Sequence, residues 1–437
     1  MTDGPHVAPR KLVLYDDRVA RRFEPFALAR PIATLVAGTT ETWARWATAL
    51  QMDVIGVVAA PHLADFDEPP RVLSDVIRRG TVVANSRFSP TRAPVDRGSV
   101  VATGQNDRGP DYWRADGRIA AVRLRDDLEV DVLSDGSFAL DALVTTADRS
   151  IDITGWWQDA VWDYLRSLTA VLTDDIERLA TAEDATGGAA PEGAIARNVT
   201  VLGAHRIVVR GGFPGETHDQ AALVEPHVVL DATAGPIYLA PGARIRAFSR
   251  LNGPCYVGPH SIVAGGEISN CSIGPWCKVR GEMSSTIVHG FANKGHEGFV
   301  GHSYIGQWVN LGAGTTTSNL KNTYGHVSLW TPDGVRSTGM QFLGTLFGDH
   351  AKTGIGTLLS TGTVVGAGAN VFGGRMPPRV VPPFAWGEGE PYREYGLDKF
   401  LEAAERMMGR RSVGLTDRMR RQLAASHRLR WAPNPGR

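Results

Sequence analysis

The chain has 437 residues, which is too long for one ordinary hydrophobic core and predicts two or three domains. Its 46 Lys and Arg residues are balanced by 46 Asp and Glu residues, which disfavours nucleic acid or an anionic membrane as a partner and favours a small molecule. The 3 cysteines lack CxxC spacing, which disfavours a disulfide framework or a zinc knuckle. Because the sequence contains no run of eighteen apolar residues, we expect a soluble, cytoplasmic protein.

The first part of the chain has the pattern of an α/β domain. Apolar segments that predict short strands lie at 11–17, 53–59 and 80–88. The segment 38–50 has helical spacing, and so does 158–180. A Gly- and Ala-rich stretch follows at about 181–194 and predicts a linker. We therefore expect a first domain over 1–185.

A sixfold repeat of aliphatic residues dominates the middle of the chain. Its predicted positions are Leu239, Ile245, Leu251, Val257 and Val263, then Ile273 and Val279, then Ile287, Asn293, Phe299, Ile305 and Leu311, and finally Phe347, Thr353, Leu359, Val365 and Val371. Small residues often follow these positions, as expected at sharp corners. This period is typical of hexapeptide repeats and predicts a parallel β-helix, whereas helix bundles and hairpin sandwiches have other periods.

The β-helix is predicted over 195–390 and a helical tail over 391–437. An open coil of a β-helix exposes unpaired backbone groups, so its ends need covers. The segment "LDKFLEAAERMMGRR" is amphipathic, and an Arg-rich helical stretch follows it. We interpret this tail as a helical cap or a subunit contact.

The repeat is lost between Asn319 and Leu346, which predicts an excursion from the β-helix wall. Just before it, "NKGHEG" places His296 among glycines, and "NLGAGTTTSN" offers successive backbone N–H groups. A histidine near its usual pKa of about 6.5 suits proton removal from an attacking amine. The N–H groups of Gly312 and Ala313 suit stabilisation of an oxyanion. The alternative interpretation of His296 is a solvated corner histidine.

These motifs resemble the acetyltransferase half of the bifunctional N-acetylglucosamine-1-phosphate uridyltransferase/glucosamine-1-phosphate acetyltransferase family. That family has a left-handed parallel β-helix and works as a trimer. That family has a Glu-Met pair, a Lys-Ala-Gly-His segment and an Asn-Ile-Gly-Ala-Gly-Thr run that ends in Cys-Asn-Tyr. Counterparts lie here in the same order, at Glu282-Met283, Gly295-His296, 310–315 and Ser318-Asn319. The resemblance implies that His296 is the catalytic base and Asn319 the substrate-site asparagine.

A closer resemblance covers nearly the whole chain, through "RFEPFALARPIATLVAG", "VVANSRF" and "TGMQFLGTLFGDHAKTGIGTLLSTGTVVGAGANVFGG". These segments resemble a branch of sugar nucleotidyltransferases that is related to the bifunctional family and has a diverged front domain. The resemblance implies acetyl-CoA-dependent N-acetylation of an amino sugar phosphate, coupled to nucleotidyl transfer from an NTP to a sugar 1-phosphate. It also implies a homotrimer, with acetyl-CoA bound near Gly312, Ala313, Thr357 and Gly373.

Some positions depart from the pattern of the family. Its tyrosine beside the catalytic histidine is Phe299 here, and its lysine after Glu-Met is Ser284. Because Ser284 cannot serve as the phosphate partner, we expect Lys294 or Arg280 to replace that lysine. Asn310 is a further candidate for substrate binding.

The front domain also departs from the family, because its first strand is followed by Asp16-Asp17-Arg18 in place of a G-x-G-T-R-M phosphate loop. An acidic pair repels phosphate unless a magnesium ion intervenes. Asp17 and Arg30 are therefore candidates to hold Mg²⁺ and phosphate, and the alternative is ordinary polar residues at a strand end.

Two other function classes compete with the acyltransferase hypothesis. His289, His296 and His302 lie in one stretch, and trimeric β-helices that resemble γ-class carbonic anhydrases bind zinc through three histidines. Glu297 is the only acid nearby to support such a site. The missing phosphate loop also fits a catalytically silent sugar-nucleotide-binding or scaffold protein.

Overall fold

The structure, a computed structural model, describes residues 11–68, 74–95, 110–186, 193–211 and 221–430, and it describes only the backbone of 183–186. The chain divides into two compact units. The N-terminal unit contains the described parts of 1–22, 30–35 and 41–160. The β-helix unit contains 23–29, 36–40 and the described residues from 161 onward.

The N-terminal unit contains a six-stranded mixed sheet. In spatial order its strands are Ser150–Asp152, Tyr112–Ala115, Arg118–Arg123, Val82–Asn85, Lys11–Tyr15 and Asp53–Val58. The last three are parallel to one another, and Arg118–Arg123 is antiparallel to both of its neighbours. Two small antiparallel pairs join Val76–Ile77 to Leu128–Glu129 and Phe88–Pro90 to Gly155–Trp157.

The strand Lys11–Tyr15 lies at the centre of this unit because its apolar side chains are buried on both faces of the sheet. Leu12 and Leu14 pack with Trp46 of the helix Thr42–Leu50. Val13 and Tyr15 belong to a second cluster. Alternation of successive side chains between two covered faces explains why the whole segment is apolar. The strands predicted at 11–17 and 53–59 are confirmed, whereas 80–88 splits into Val82–Asn85 and the start of Phe88–Pro90.

The second unit is a left-handed parallel β-helix. One long sheet contains Thr200–Gly203, Val229–Ala232, Ser249–Val257, Gly266–Ile273, Ile287–Val288, Tyr304–Ile305, Thr345–Phe347, Thr363–Val365 and Val380–Val381 on its main path, with Ile207–Val209, Ile237–Leu239, Met283–Ser284 and Val300–Gly301 beside it. The other contains Leu223–Val224, Arg244–Ile245, Ile262–Val263, Lys278–Val279, Asn293–Lys294, Asn310–Leu311, Lys352–Thr353, Asn370–Val371, Ala385–Gly387 and Arg393–Glu394. Thr316–Thr317 also pairs with Leu358–Leu359.

The aliphatic repeat forms one continuous core inside the coils. The predicted positions from Leu239 to Val279 and from Phe347 to Val371 are buried. The predicted register is wrong by one residue over 287–299, where Val288 and Val300 join the core in place of Ile287 and Phe299, and it is correct again at Ile305 and Leu311. Val288 pairs with Ile305 in the next coil. A one-residue slip in a strand exchanges its two faces, so Lys294 and not Asn293 takes the inward position.

Two helices precede the β-helix, at Asp163–Arg166 and Leu168–Thr186. The longer helix packs on the strands Ser249–Val257 and Gly266–Ile273, so it belongs to the β-helix unit and not to the first domain predicted to end at 185. The predicted linker therefore begins later than 181, since the helix continues to Thr186; residues 187–192 lie outside the described residues.

The predicted excursion contains a hairpin of Ser328–Thr331 and Gly334–Ser337. Two helices follow the β-helix, at Leu397–Gly409 and Asp417–Arg428. They pack through Phe400 and Leu423 against Phe384 of the last coils. Among the described residues, no helix is both long enough and apolar enough to cross a bilayer.

Candidate functional site

The predicted base His296 lies in an exposed turn between two coils of the β-helix. This turn follows Asn293–Lys294 and is tied down by the Lys294 side chain. The Lys294 Nζ donates to the carbonyl oxygens of Arg280, His296 and Gly298, at 2.7, 2.9 and 2.6 Å. An ammonium group has three donors, and all three are used here. The inward lysine therefore fixes the backbone that presents the imidazole of His296.

Burial of Lys294 has an electrostatic consequence. The side chain is only 3% exposed, and burial lowers its pKa from 10.5 to about 8 although Glu297 opposes this shift. Lys294 was predicted to replace the missing lysine as a phosphate contact. The structure instead commits its donors to main-chain carbonyls, because the residue occupies an inward position of the coil.

Two other predicted substrate contacts also have protein partners. The Arg280 guanidinium donates to Glu297 at 2.8 Å and to the Ala264 carbonyl at 2.7 Å, and about half of its side chain is exposed. The Asn310 amide oxygen accepts from Asn293 of the preceding coil at 2.8 Å. Arg280 thus lies beside the His296 turn with an exposed edge, whereas Asn310 belongs to a ladder of side chains along the outer face of a sheet.

Asn319 contacts a histidine, but it is His302 and not His296. The Asn319 Nδ2 lies 2.9 Å from the His302 Nδ1. The His302 ring also stacks on Phe342 of the excursion, with ring centroids 5.2 Å apart. Burial lowers the pKa of His302, so the ring is neutral near pH 7. In the sequence, His302 is a candidate only for the zinc site. Its contact with Phe342 could not be predicted, because the two residues lie far apart along the chain.

Gly301 forms the floor beneath Asn319. A Cβ atom at Gly301 would lie 2.4 Å from the Phe299 ring and 2.7 Å from the Asn319 amide nitrogen. Both side chains therefore fill the space above this glycine. With His302 and Phe342 they form what we call the Asn319 cluster, an amide surrounded by aromatic rings. Aromatic walls with one or two polar groups are typical of sites for small polar ligands.

The residues predicted to bind acetyl-CoA lie in successive coils. Gly312 and Gly354 lie so close that a Cβ atom at Gly312 would be 2.5 Å from the Gly354 backbone. Ala313 accepts a hydrogen bond from the Gly356 N–H at 2.7 Å. Since Leu311 pairs with Thr353, and Thr353 with Val371, Ala313 and Gly373 occupy the same place in their coils.

One predicted oxyanion donor is already used. The Gly312 N–H donates to the carbonyl oxygen and to the hydroxyl of Thr353, each at 3.1 Å. The Gly312 N–H thus belongs to the hydrogen-bond ladder between coils, so the prediction that it stabilises an oxyanion is wrong. Within the described part of the chain, no hydrogen bond uses the Ala313 N–H. Thr357, also predicted here, is buried and donates to the Gly354 carbonyl at 2.9 Å.

The three histidines of the zinc hypothesis differ in environment. His289 is buried, His296 is exposed and His302 is half-buried. Across the described ranges of the chain, no group of three or more His, Cys, Asp and Glu side chains is arranged to hold a metal ion.

The N-terminal unit has a cavity of about 680 Å³ where its parallel strands end. Lys11–Tyr15 lies between Asp53–Val58 and Val82–Asn85, so the order of the strands reverses beside it. Ligands of open α/β sheets bind at such a reversal, outside the carboxyl ends of the strands. The cavity is lined by Asp17 and Asn85, which follow or end these strands, and by Arg87, Arg114, Arg118, Tyr112, Phe138 and Trp157, among other residues.

Asp17, predicted to hold a metal ion, is held by protein groups. Arg87 donates to both of its carboxylate oxygens at 2.7–2.9 Å, and Asn85 donates at 3.0 Å. The backbone N–H groups of Val19 and Ala20 donate as well. Burial would raise the Asp17 pKa, but Arg87, the Ala20 N–H and Asn85 together outweigh it and hold the pKa below its usual value. With both oxygens engaged, the residues present do not form a magnesium site.

Arg30 does not line this cavity. It is 1% exposed and bonds to Thr34 at 3.2 Å and Glu68 at 3.4 Å. The prediction that Asp17 and Arg30 together hold Mg²⁺ and phosphate is therefore not supported. The neighbouring Asp16 has a structural role, since it accepts from the Ile32 N–H at 2.8 Å, and burial raises its pKa to about 6.

Arg118 stacks on the ring of Trp157 in the wall of this cavity and places a positive charge there. Its guanidinium carbon lies 3.8 Å from the centroid of a Trp157 ring, and Asp159 pairs with it at 2.9 Å. Arg87 lies 5.7 Å from the Trp157 ring centroid and also pairs with Asp159. Stacked guanidinium and indole groups suit a ligand with an anionic part and a planar or sugar part.

Comparison with known proteins relates the N-terminal part of the chain to a family. Residues 12–184 match the family model described as sugar nucleotidyl transferase. This segment contains the whole cavity of the N-terminal unit and the first helices of the β-helix unit.

The chain is also similar to the bifunctional protein GlmU of Jannaschia sp., with 30% identity over 202 residues, or 44% of this chain and 39% of that protein. GlmU of Synechococcus sp. is 21% identical over 39% of this chain and 41% of that protein. A putative uncharacterized acetyltransferase of Escherichia coli, YaiX, is 25% identical over 36% of this chain and 68% of that protein. The matched region thus spans about two fifths of these GlmU relatives.

Among solved structures, an Arabidopsis UDP-N-acetylglucosamine acyltransferase has a TM-score of 0.26 at 12% identity, over 48% of this chain and 76% of that one. This likeness is too low to bear on function. The family and sequence matches relate the chain to a GlmU-type branch of sugar nucleotidyltransferases, and they indicate a transferase.

Proposed function

We propose that the β-helix unit catalyses acetyl-CoA-dependent N-acetylation of an amino sugar phosphate, as a step of sugar-nucleotide biosynthesis of the UDP-N-acetylglucosamine type. The observation that carries this proposal is the turn at His296. The buried Lys294 ammonium donates to the carbonyls of His296 and Gly298 in this turn and to that of Arg280 in the preceding coil, and His296 remains exposed. An exposed histidine on a backbone that is fixed by hydrogen bonds is well placed to act as a general base.

The chemistry needs one proton transfer and one acyl transfer. His296 removes a proton from the neutral sugar amine as its nitrogen attacks the thioester carbonyl and forms the new C–N bond. The oxyanion of the tetrahedral intermediate is stabilised by the Ala313 N–H. When the intermediate collapses, the C–S bond breaks and the thiolate takes the proton from the imidazolium. The products are the N-acetyl sugar and free coenzyme A.

The proposed acyl-donor site is formed by Ala313, Thr357 and Gly373, with the Gly312 backbone as its floor. Their arrangement in successive coils supports a binding surface that runs along the β-helix. By resemblance we propose that the chain acts as a homotrimer in the cytoplasm and that the donor binds between subunits. Sedimentation analysis of the purified chain tests the trimer.

The test is release of free thiol from acetyl-CoA in the presence of a panel of amino sugars and amino sugar phosphates. We expect release with at least one acceptor, and we expect His296→Ala to abolish it while the thermal midpoint stays within about 1 °C. His326→Ala, a change of another histidine with an exposed side chain, serves as control. No thiol release by the wild type with any acceptor rejects the proposal in favour of a binding or scaffold protein.

A second candidate function, nucleotidyl transfer, is favoured by the cavity of the N-terminal unit. Its position at the strand reversal and its arginines suit a nucleotide or sugar phosphate. Because the residues present do not form a magnesium site, we derive no metal-dependent step. Release of pyrophosphate from an NTP and a sugar 1-phosphate tests this activity. We expect Arg118→Met to remove it, whereas Arg79→Met, on the surface outside the cavity lining, should have no effect.

A further inference from the structure

The Asn319 cluster joins two parts of the β-helix unit that are distant in sequence. His302 lies at a corner just before the strand Tyr304–Ile305, with φ 47°. Asn319 follows the strand Thr316–Thr317, where the excursion begins, and Phe342 lies where the excursion returns. Leu320 and Phe342 form an isolated antiparallel bridge, which closes the excursion at its base. The excursion is thus tied at the point where the histidine meets the asparagine.

The hydrogen bond between these side chains defines their roles. An amide nitrogen can only donate, so the His302 Nδ1 accepts and the neutral ring carries its proton on Nε2. The same bond fixes the Asn319 amide plane. Within the described ranges, no hydrogen bond uses the Asn319 Oδ1. The oxygen of an amide that is fixed in this way can accept a hydrogen bond from a hydroxyl or an amine of a ligand.

The aromatic neighbours limit how this amide can move. Phe299 and Asn319 fill the space above Gly301, and Phe342 covers the His302 ring while 39% of Phe342 remains exposed. One side of the cluster is therefore packed and the other side is open. An open aromatic edge beside a fixed amide suits the ring of a sugar, which has apolar C–H faces and polar hydroxyl edges.

We propose that His302 is a positioning residue for the acyl acceptor: it orients Asn319 so that this amide binds the amino sugar, and Phe342 forms the wall of the same subsite. The inference rests on the proposed function for the identity of the acceptor. It assigns a role to a histidine that the acyl-transfer chemistry does not use.

The test is calorimetric binding of glucosamine and of glucosamine 1-phosphate to the full chain. We expect His302→Leu to weaken binding of at least one of them at least tenfold, because a leucine cannot accept from Asn319. His302→Asn should bind within threefold of the wild type, since its amide oxygen replaces Nδ1 as acceptor and asparagine tolerates positive φ. His260→Leu is the matched control: His260 has φ 57° and stacks on Trp276 at another corner. This variant should bind like the wild type.

Kinetics and spectroscopy give independent readouts. If thiol is released, His302→Leu should raise KM for the acceptor about tenfold, with KM for acetyl-CoA and kcat within twofold. In ¹⁵N NMR spectra of histidine-labelled protein, His302 should be the Nε2-protonated tautomer.

Each outcome separates this inference from the proposed function. Equal binding by the wild type and His302→Leu, an Nδ1-protonated ring, or no binding of either amine by the wild type overturns the positioning role. Binding that depends on His302 without any thiol release supports the subsite and rejects the acyltransferase.

Discussion

The Nζ atom of Lys294 lies 2.9 Å from the carbonyl oxygen of His296, two residues further along the chain. The lysine points into the β-helix and the histidine points out of it, so one buried cation shapes the turn that carries the proposed base. The cost of desolvating the ammonium is offset by three charge-assisted hydrogen bonds. A buried charge that organises a turn is thus part of the proposed active site, and its three donors are used by main-chain carbonyls.

Lys294→Met tests this arrangement. Methionine fills a similar volume but leaves the carbonyls of Arg280, His296 and Gly298 without their donor, so the free energy of unfolding should fall by about 1–3 kcal/mol. Thiol release should fall at least tenfold because the His296 turn loses its anchor. Urea unfolding and the thiol assay measure both effects. Lys321→Met removes a lysine whose Nζ bonds to one carbonyl, that of His326, near the surface, and it should change stability by less than about 0.5 kcal/mol. Equal effects of the two variants would contradict the anchoring role.

The pKa of Asp16 predicts a pH dependence of the stability of the N-terminal unit. Burial raises this pKa from 3.8 to about 6, so between these values the folded state binds more protons than the unfolded state. The stabilisation from the protonated carboxyl is therefore complete below about pH 4 and is lost as the pH rises through 6. A shift of about two units corresponds to at most about 3 kcal/mol.

Asp16→Asn isolates this effect, since an amide cannot ionise and its oxygen can still accept from the Ile32 N–H. The stability of the wild type relative to Asp16→Asn should decline from pH 4.5 to pH 7, measured by urea unfolding at each pH. A difference between the two proteins that does not change with pH would show that Asp16 titrates normally.

The Asp17–Arg87 pair predicts a contrast between buried and exposed ion pairs. Asp17→Asn removes a carboxylate that accepts from Arg87 through both oxygens, in a pair whose side chains are 16% and 9% exposed. The free energy of unfolding should fall by about 2 kcal/mol, because the Arg87 charge is left partly buried. Asp152→Asn breaks an exposed pair with Arg114 and should destabilise the protein much less than Asp17→Asn does. The ranking would be contradicted by a larger loss for Asp152→Asn in the same unfolding assay.

Gly301→Ala tests the floor of the Asn319 cluster. The added methyl group would lie 2.4 Å from the Phe299 ring and 2.7 Å from the Asn319 amide, so one of these side chains must move. We expect KM for the acyl acceptor to rise about tenfold, measured by thiol release at varied acceptor concentration. Gly374→Ala is the matched control, because a Cβ atom at that glycine meets nothing within 4 Å. An unchanged KM in Gly301→Ala would separate Asn319 from acceptor binding.

Much of the fold was predictable because it depends on local periodicity. The sixfold repeat predicted the β-helix, and the positions from Leu239 to Val279 are buried as expected. The prediction failed at Ile287 and Phe299 because each has an apolar neighbour, Val288 and Val300, so that either face fits the period, and it failed at Asn293 because the inward residue is a lysine. Only pairing of Val288 with Ile305 in the next coil decides which face is inside.

The candidate site was predictable in part. The motif residues His296 and Asn319 were identified from their order in the chain, and their roles stay predictions. Sequence order cannot show that the Gly312 N–H is used by Thr353, or that Arg30 pairs with Glu68 and lies outside the cavity lining. Those partners lie 41 and 38 residues away along the chain.

The sequence by itself determined the class of fold and the identity of the chemically capable residues, since both depend on residue type and short-range spacing. Only the tertiary structure decided which of these residues have free donors and acceptors. The Lys294 side chain points inward and donates to three carbonyls. His302 forms a hydrogen bond with Asn319 and stacks on Phe342 at the base of the excursion. The physical reason is that hydrogen-bond partners and burial depend on how neighbouring coils stack, which no local pattern of residues specifies.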